Sequence, residues 1–190
     1  MSDPIHTALL FLINTLFDLY LFILVIRVIL VWVRADFFNP ITQFITKLTS
    51  VIVNPSRKVL PNMGRLETAT LILVILLEMI KFFLIASLTF GIPNILGVFI
   101  LAFADTLSIF LNTFFYAILL SVILSWVQLY SPVTKLINQM VAPIMRPIQR
   151  VFPPVGGFDL SPIPALIGLQ LLIILVVAPL MTVGMNLALG

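Results

Sequence analysis

Four long apolar stretches constrain this chain more than any other feature of its sequence. They cover about residues 5–33, 68–90, 96–129 and 163–187. A helix needs roughly 20 apolar residues to cross the hydrocarbon core of a bilayer, and each stretch reaches that length. Only 9% of the 190 residues are charged and the mean hydropathy is +1.25, whereas a soluble domain carries about 25% charged residues. The sequence therefore predicts an all-α integral membrane protein with four transmembrane helices.

The rest of the composition excludes several kinds of site. The chain has no cysteine, so it forms neither a disulfide framework nor a sulfur-bound metal site. His6 is the only histidine, and no nucleophile or phosphate-binding loop accompanies the acidic residues. We therefore predict no metal, no cofactor and no enzymatic activity. The first apolar stretch lacks a basic n-region and is too long for a cleaved h-region, so we expect it to remain in the mature protein.

The basic residues predict a topology. Eight of the ten lysines and arginines fall in two loops, at about residues 34–67 and 130–162. The turn at residues 91–94 and both termini have none. By the positive-inside rule, both loops are expected to be cytoplasmic and both termini to face outward. These basic side chains are expected to contact anionic lipid headgroups. They form no dense basic patch, which argues against nucleic-acid binding.

The two halves of the chain repeat each other at an offset of 92 residues. Three prolines and a glycine match in register, in the pairs Pro40 and Pro132, Pro55 and Pro147, Pro61 and Pro153, and Gly64 and Gly156. After a two-residue shift, Trp32 also aligns with Trp126. We therefore predict two copies of a span, helix, span unit, at residues 1–90 and 95–190. Such copies are expected to be related by a pseudo-twofold axis along the membrane normal.

Each loop is predicted to contain an amphipathic helix, over about residues 40–53 and 132–145. Asn39-Pro40 and Ser131-Pro132 supply an N-cap followed by proline at the first helical position. Apolar residues then recur at helical spacing, with threonine, lysine and amide side chains opposite them. Helices of this kind lie at the membrane interface, where they either pack on the spans or present a docking face.

A stiff cationic segment follows each amphipathic helix. Proline lacks an amide donor and fixes its own backbone, so each segment is predicted to be a non-helical or single-turn elbow. The basic side chains are expected to lie at the depth of anionic headgroups, where each charge gains about 1 kcal/mol. The first elbow contains Pro55, Arg57, Lys58 and Pro61, and the second contains Arg146, Pro147, Arg150 and Pro153.

Ionisable residues within spans are the candidate functional residues, because charge is costly in hydrocarbon. Asp18 and Lys81 fall at matching depth when about 1.5 Å is counted per residue. We therefore predict two interhelical ion pairs, Asp18 with Lys81 and Arg27 with Glu78. The alternative is that Glu78 pairs with Lys81 three residues further along its own helix. Asp105 is interpreted as a solvated carboxylate at the outer end of the third span.

The pattern resembles the YggT family, also called YlmG, of small bacterial and plastid membrane proteins built from one or two such units. The resemblance covers nearly the whole chain and implies a bacterial inner membrane, in which the outward-facing termini would be periplasmic. It is carried by Arg27, Trp32, Asn39, Pro40, Asn54, Pro55, Arg57, Lys58 and Pro61 in the first half, and by Trp126, Arg146, Pro147, Arg150, Pro153, Gly156, Asp159, Ser161 and Pro162 in the second. One departure is that Ser121 stands where the first half has Arg27, so the halves need not share one role.

The resemblance implies a role in osmotic-stress tolerance and potassium homeostasis. It also implies an alternative, a non-enzymatic scaffold or assembly factor for a partner complex, such as a cytochrome, haem-maturation or cell-division complex. A conduit needs a continuous polar lining, which four mostly apolar spans hardly supply, so conduction would require a homo-oligomer. A scaffold would need a membrane protein partner at the exposed loops.

Overall fold

The computed structural model describes residues 4–59, 67–127, 131–153 and 159–190. Within those ranges all regular structure is helical. The helices are α1 (Pro4–Trp32), α2 (Pro40–Val59), α3 (Thr68–Thr89), α4 (Ile95–Val127), α5 (Pro132–Val151), α6 (Pro162–Leu172) and α7 (Ala178–Leu189). A π-helical turn, Ile173–Val177, joins α6 and α7 into one continuous span. Helices α1, α3, α4 and the α6–α7 span are long and apolar enough to cross a membrane, which confirms the predicted fold class.

The predicted elbows are wrong in the part of the chain that the structure describes. Helix α2 continues through Pro55 to Val59, and α5 continues through Pro147 to Val151. A proline in a helix interior costs about 3 kcal/mol because one backbone hydrogen bond is lost. Here both prolines lie on the exposed side of the helix, where solvent or headgroups can satisfy the released carbonyl. Arg57, Arg146 and Arg150 accordingly lie on helices, while Pro61 and Gly156 lie outside the described residues.

Close backbone contact fixes α4 against α7. A Cβ atom added to Gly97 would collide with the backbone of Ala188, and one added to Gly184 would collide with Leu101. Small residues at such crossings let two spans approach closely, which is how helices associate in a bilayer. This contact positions α4, the helix that carries Asp105.

An apolar core joins the two repeats in the half of the bundle next to α2 and α5. From α1 it contains Leu21, Leu24 and Val25, and from α4 it contains Phe114 and Ile118. On the other side of this core, a cavity of about 260 Å³ lies between α1 and α4. The bundle therefore contains a closed apolar region and, next to it, an open cleft.

The two amphipathic helices pack differently. In α5 the apolar face is buried against the bundle, and Leu136 is only 3% exposed. In α2 the aligned residue, Phe44, is 66% exposed, and Val51, about two turns further along, is also exposed. Buried threonines, Thr42 and Thr49, occupy part of the side of α2 that faces the spans. The two helices therefore share buried residues at aligned positions, such as Ile45 and Ile137, and differ at Phe44 and Leu136.

Candidate functional site: an intramembrane charge cluster

Three carboxylates from three helices surround the ammonium group of Lys81. Its Nζ lies 2.9 Å from Asp18 Oδ1 on α1, 2.7 Å from Glu78 Oε2 on α3, and 2.7 Å from Asp105 Oδ2 on α4. One oxygen from each carboxylate lies within 4.8 Å of one from each of the others. With every group ionised, these four residues carry two more negative charges than positive ones. We call them the acidic cluster.

The acidic cluster lies at the edge of the cleft between α1 and α4. The side chains of Lys81 and Glu78 are buried, whereas that of Asp18 is 58% exposed and that of Asp105 is 21% exposed. The cleft is lined by Asp18, Phe22, Asp105, Ser108, Ile109, Asn112, Thr113 and Tyr116. Carboxylate, hydroxyl and amide oxygens are therefore the groups that this cleft offers to a ligand. Such oxygens suit hard cations rather than soft ones.

The structure decides between the predicted pairings. The Asp18–Lys81 pair is confirmed, and the alternative contact between Glu78 and Lys81 is present as well. The Arg27–Glu78 pair is wrong, because Arg27 points toward the α2 end of its helix. The interpretation of Asp105 is also wrong, because Asp105 lies ten residues inside α4, about 15 Å from its start at 1.5 Å per residue. It is therefore a member of the acidic cluster and not an interfacial carboxylate.

Arg27 is held in a second buried network between α1, α2 and α3. Its Nε and Nη2 donate to the two carboxylate oxygens of Glu67, each at 3.1 Å, which is the bidentate geometry of strong pairs. Its Nη1 donates to Thr49 Oγ1 at 2.6 Å and to the carbonyl of Thr46 at 3.2 Å. Arg57 also pairs with Glu67, whose side chain is fully buried. Glu67 was missed by the sequence reasoning because it lies just before a span and not within it.

The second repeat makes the equivalent contacts with weaker partners. Asp159, which aligns with Glu67, accepts a hydrogen bond from Gln149, which aligns with Arg57, at 2.9 Å. Ser121, which aligns with Arg27, donates a hydrogen bond to Asn138 on α5 at 2.9 Å, whereas Arg27 donates to α2. Gln170 and Ile173 stand where Glu78 and Lys81 stand. The second repeat therefore lacks a counterpart of the Glu78–Lys81 pair, although its own helix α4 supplies Asp105 to the acidic cluster.

The remaining motif residues cap helices or join the repeats. Asn39 Oδ1 accepts from the amide of Ile41 at 3.0 Å, and its Nδ2 donates to the carbonyl of Pro132 at 2.7 Å. Ser131 caps α5 by accepting from the amide of Thr134 at 3.2 Å. Asp159 accepts from the amide and hydroxyl of Ser161, directly before Pro162 opens α6. The outlying motif residues are Trp32 and Trp126 near the ends of α1 and α4, Asn54 and Lys58 in α2, and Pro153 after α5.

The fold is thus that of a multi-pass membrane protein of two repeats, and the acidic cluster lies where α1 and α3 of the first repeat meet α4 of the second. A family model described as CCB3/YggT matches residues 6–88 and again residues 100–180. The chain therefore belongs to the CCB3/YggT family, as the motif residues indicated.

Several relatives match over most of their length. "Uncharacterized protein PA0392" from Pseudomonas aeruginosa is 40% identical over 177 residues, which is 91% of this chain and 90% of that protein. "Uncharacterized protein in proC 3'region" from Vibrio alginolyticus is 38% identical and covers 84% of this chain and 88% of its own. "Uncharacterized protein YggT" from Escherichia coli is 35% identical and covers 82% and 81%. No solved structure matches the chain.

Proposed function

We propose that the protein contributes to potassium homeostasis, and so to osmotic-stress tolerance, by binding and passing a cation at the acidic cluster. The observation that carries this proposal is the charge of the cluster, where three carboxylates meet one ammonium group. Unbalanced charge is far more costly between apolar spans than in water, so such a site attracts a counter-ion. The proposed role is not enzymatic.

The geometry favours a large monovalent cation. The ammonium group of Lys81 lies 2.7 to 2.9 Å from its three carboxylate oxygens. Magnesium binds oxygen at about 2.0–2.1 Å and calcium at about 2.3–2.6 Å, so both need a tighter cage. Potassium has nearly the size of an ammonium group, so it is the ion that we propose for the position of Lys81.

A single chain in this conformation offers a pocket rather than a continuous pore. The apolar core of Leu21, Leu24, Phe114 and Ile118 closes the cleft on the side toward α2. Beyond that core lies the positive charge of Arg27, which would repel a cation that moved from the cleft toward α2. Passage across the membrane therefore requires a change in how α1 and α4 pack, or a path formed between copies in a homo-oligomer.

Rubidium uptake into proteoliposomes that contain only the purified full-length chain tests this function. We expect uptake above that of protein-free liposomes, and we expect Asp105→Asn to reduce it to background. Asp36→Asn is the matched control, because that carboxylate pairs with Lys135 outside the spans. Uptake that is absent with the wild-type chain, or unchanged in Asp105→Asn, would exclude the proposal.

A scaffold role is the second candidate, and the exposed apolar face of α2 favours it. Phe44 and Val51 are exposed, whereas the residue aligned with Phe44 is buried. Such a face is suited to a membrane protein partner. In a strain that lacks the protein, growth at high osmolarity separates the candidates. Under the scaffold proposal, Phe44→Ser with Val51→Ser loses complementation and Asp105→Asn retains it, whereas the ion-binding proposal expects the opposite.

We further propose that α2 and α5 lie on the cytoplasmic side of the bacterial inner membrane, with both termini periplasmic and the basic side chains near anionic headgroups. This follows from the positive-inside rule. The absence of cysteine makes the topology simple to test by labelling single cysteines. An impermeant thiol reagent is expected to label Ile92→Cys in intact spheroplasts and Lys47→Cys only after permeabilisation. The reverse pattern would invert the topology.

A further inference from the structure

Lys81 occupies the position that a bound metal cation would take. Its ammonium group is the only positive charge in the acidic cluster, and it contacts all three carboxylates at once. We infer that Lys81 is a tethered competitor of the transported ion. A monovalent cation entering the cleft displaces the ammonium group from Asp18 and Asp105, and Lys81 then remains paired with Glu78 alone. This inference rests on the cation site of the proposed function.

The environment of Glu78 points independently to this exchange. Its carboxylate is fully buried, and among the described residues only Lys81 supports it. Lys81 lies three residues along the same helix and forms an ion pair with it at 2.7 Å, while the carboxylates of Asp18 and Asp105 lie nearby. A buried carboxylate is normally supported by several donors. Glu78 is instead positioned to serve one group, and it keeps that partner however α1 and α4 move.

The other two carboxylates face the cleft. Asp18 and Asp105 line it together with Ser108 and Asn112, whereas Glu78 does not. The amide nitrogen of Asn112 donates a hydrogen bond to Ser108 Oγ at 3.2 Å. The amide oxygen of Asn112 therefore remains as a ligand atom for a cation. A cation held between Asp18 and Asp105 would therefore find oxygen ligands on both sides. In this arrangement Asp18 and Asp105 bind the ion, and Glu78 binds Lys81.

Competition predicts that removing the positive charge strengthens binding. The ammonium group and an entering cation repel each other strongly at this short distance. Much of this is relieved when Lys81 withdraws to Glu78, so we expect Lys81→Gln to bind rubidium about tenfold or more tightly than the wild-type chain. A purely structural lysine would give the opposite result, because its loss would disorder the carboxylates.

Rubidium binding to the purified full-length chain in detergent, measured by equilibrium dialysis, tests the inference. We expect one saturable site in the wild type, no site in Asp105→Asn, and a Kd at least about tenfold lower in Lys81→Gln. Lys81→Gln combined with Glu78→Gln keeps the net charge of the cluster and is also expected to bind more tightly than the wild type. Lys135→Gln is the control outside the spans and leaves the Kd unchanged.

An equal or higher Kd in Lys81→Gln would overturn the inference. Should that variant fail to elute as a monodisperse species, the double variant decides in its place, with the same criterion. The outcome is separable from the proposed function. Tighter binding in Lys81→Gln without rubidium uptake by the wild type would retain the competitor and reject transport. Asp105-dependent uptake with no gain in affinity would retain transport and reject the competitor.

Discussion

Glu67→Gln is expected to lower the free energy of unfolding by about 3–5 kcal/mol, the usual cost of removing one partner from a buried ion pair. The substitution keeps the size of the side chain but leaves Arg27 buried without its counter-charge. Arg57 loses its partner as well, although its own side chain is partly exposed and contributes less. Because the network joins α1, α2 and α3, we expect the first repeat to lose its packing. Thermal unfolding of the detergent-purified chain measures the effect.

Asp159→Asn is the matched control in the second repeat. Asp159 is exposed and bonds to neutral partners, Gln149 and Ser161, so its loss is expected to cost only about 1 kcal/mol. Similar losses of unfolding free energy in the two variants would mean that Glu67 does not stabilise the buried charge of Arg27. That result would contradict the structure of the network.

The same carboxylate predicts a loss of stability in acid. Burial raises the pKa of Glu67, whereas the hydrogen bonds and charges of Arg27 and Arg57 lower it. The lowering is the larger effect, so the pKa of Glu67 in the folded chain lies below its usual value. Its stabilising contribution is therefore fully present above its unfolded pKa, about 4.3, and is lost as the pH falls through the folded pKa. We expect Glu67→Gln to remove this part of the pH dependence.

Lys81→Glu is expected to prevent accumulation of the folded protein. The substitution places a fourth carboxylate against Asp18, Glu78 and Asp105 at a position that is only 3% exposed. Like charges held this close in an apolar environment cannot all remain ionised, and the cost of relieving them exceeds the few kcal/mol that hold a domain folded. The amount of monodisperse protein extracted from membranes measures the effect.

A charge swap separates electrostatics from packing. Adding Asp105→Lys to Lys81→Glu restores one ammonium group among three carboxylates, so we expect extractable protein to return. Lys135→Glu, which faces Asp36 outside the spans, is expected to leave the amount of extractable protein nearly unchanged, because this ion pair is exposed to solvent. Wild-type amounts of Lys81→Glu, or no recovery in the swap, would show that the contacts of Lys81 do not hold the helices together.

The fold was largely predictable from sequence because its main constraint is one-dimensional. Span length and hydropathy are properties of consecutive residues, and they placed each span within a few residues of its observed ends. The pair of Asp18 and Lys81 followed from depth alone, since depth also depends only on position along the chain. Predictions failed where the structure depends on the rotation of a helix about its axis and on the packing of its side chains. Proline signalled a break at Pro55, but the amphipathic face of α2 carried the helix past it.

The site was only half predictable for a related reason. Depth cannot show which way a long side chain points, and Arg27 extends along its helix to a carboxylate outside the spans. Asp105 was assigned to the outer end of a span because the start of α4 and its tilt are invisible in a uniformly apolar run. A better indication was available in its residue type, since a carboxylate inside any apolar stretch is a candidate for pairing with the nearest buried cation.

Crystals of the full-length chain grown with thallium(I) in place of potassium would test the cation site most directly, because thallium is potassium-sized and scatters anomalously. We expect one anomalous peak in the cleft, in contact with Asp18 and Asp105, with Lys81 withdrawn to Glu78, and no such peak in Asp105→Asn. Saturating thallium with no density in the cleft, and with Lys81 still touching all three carboxylates, would contradict the proposal that these spans bind a cation.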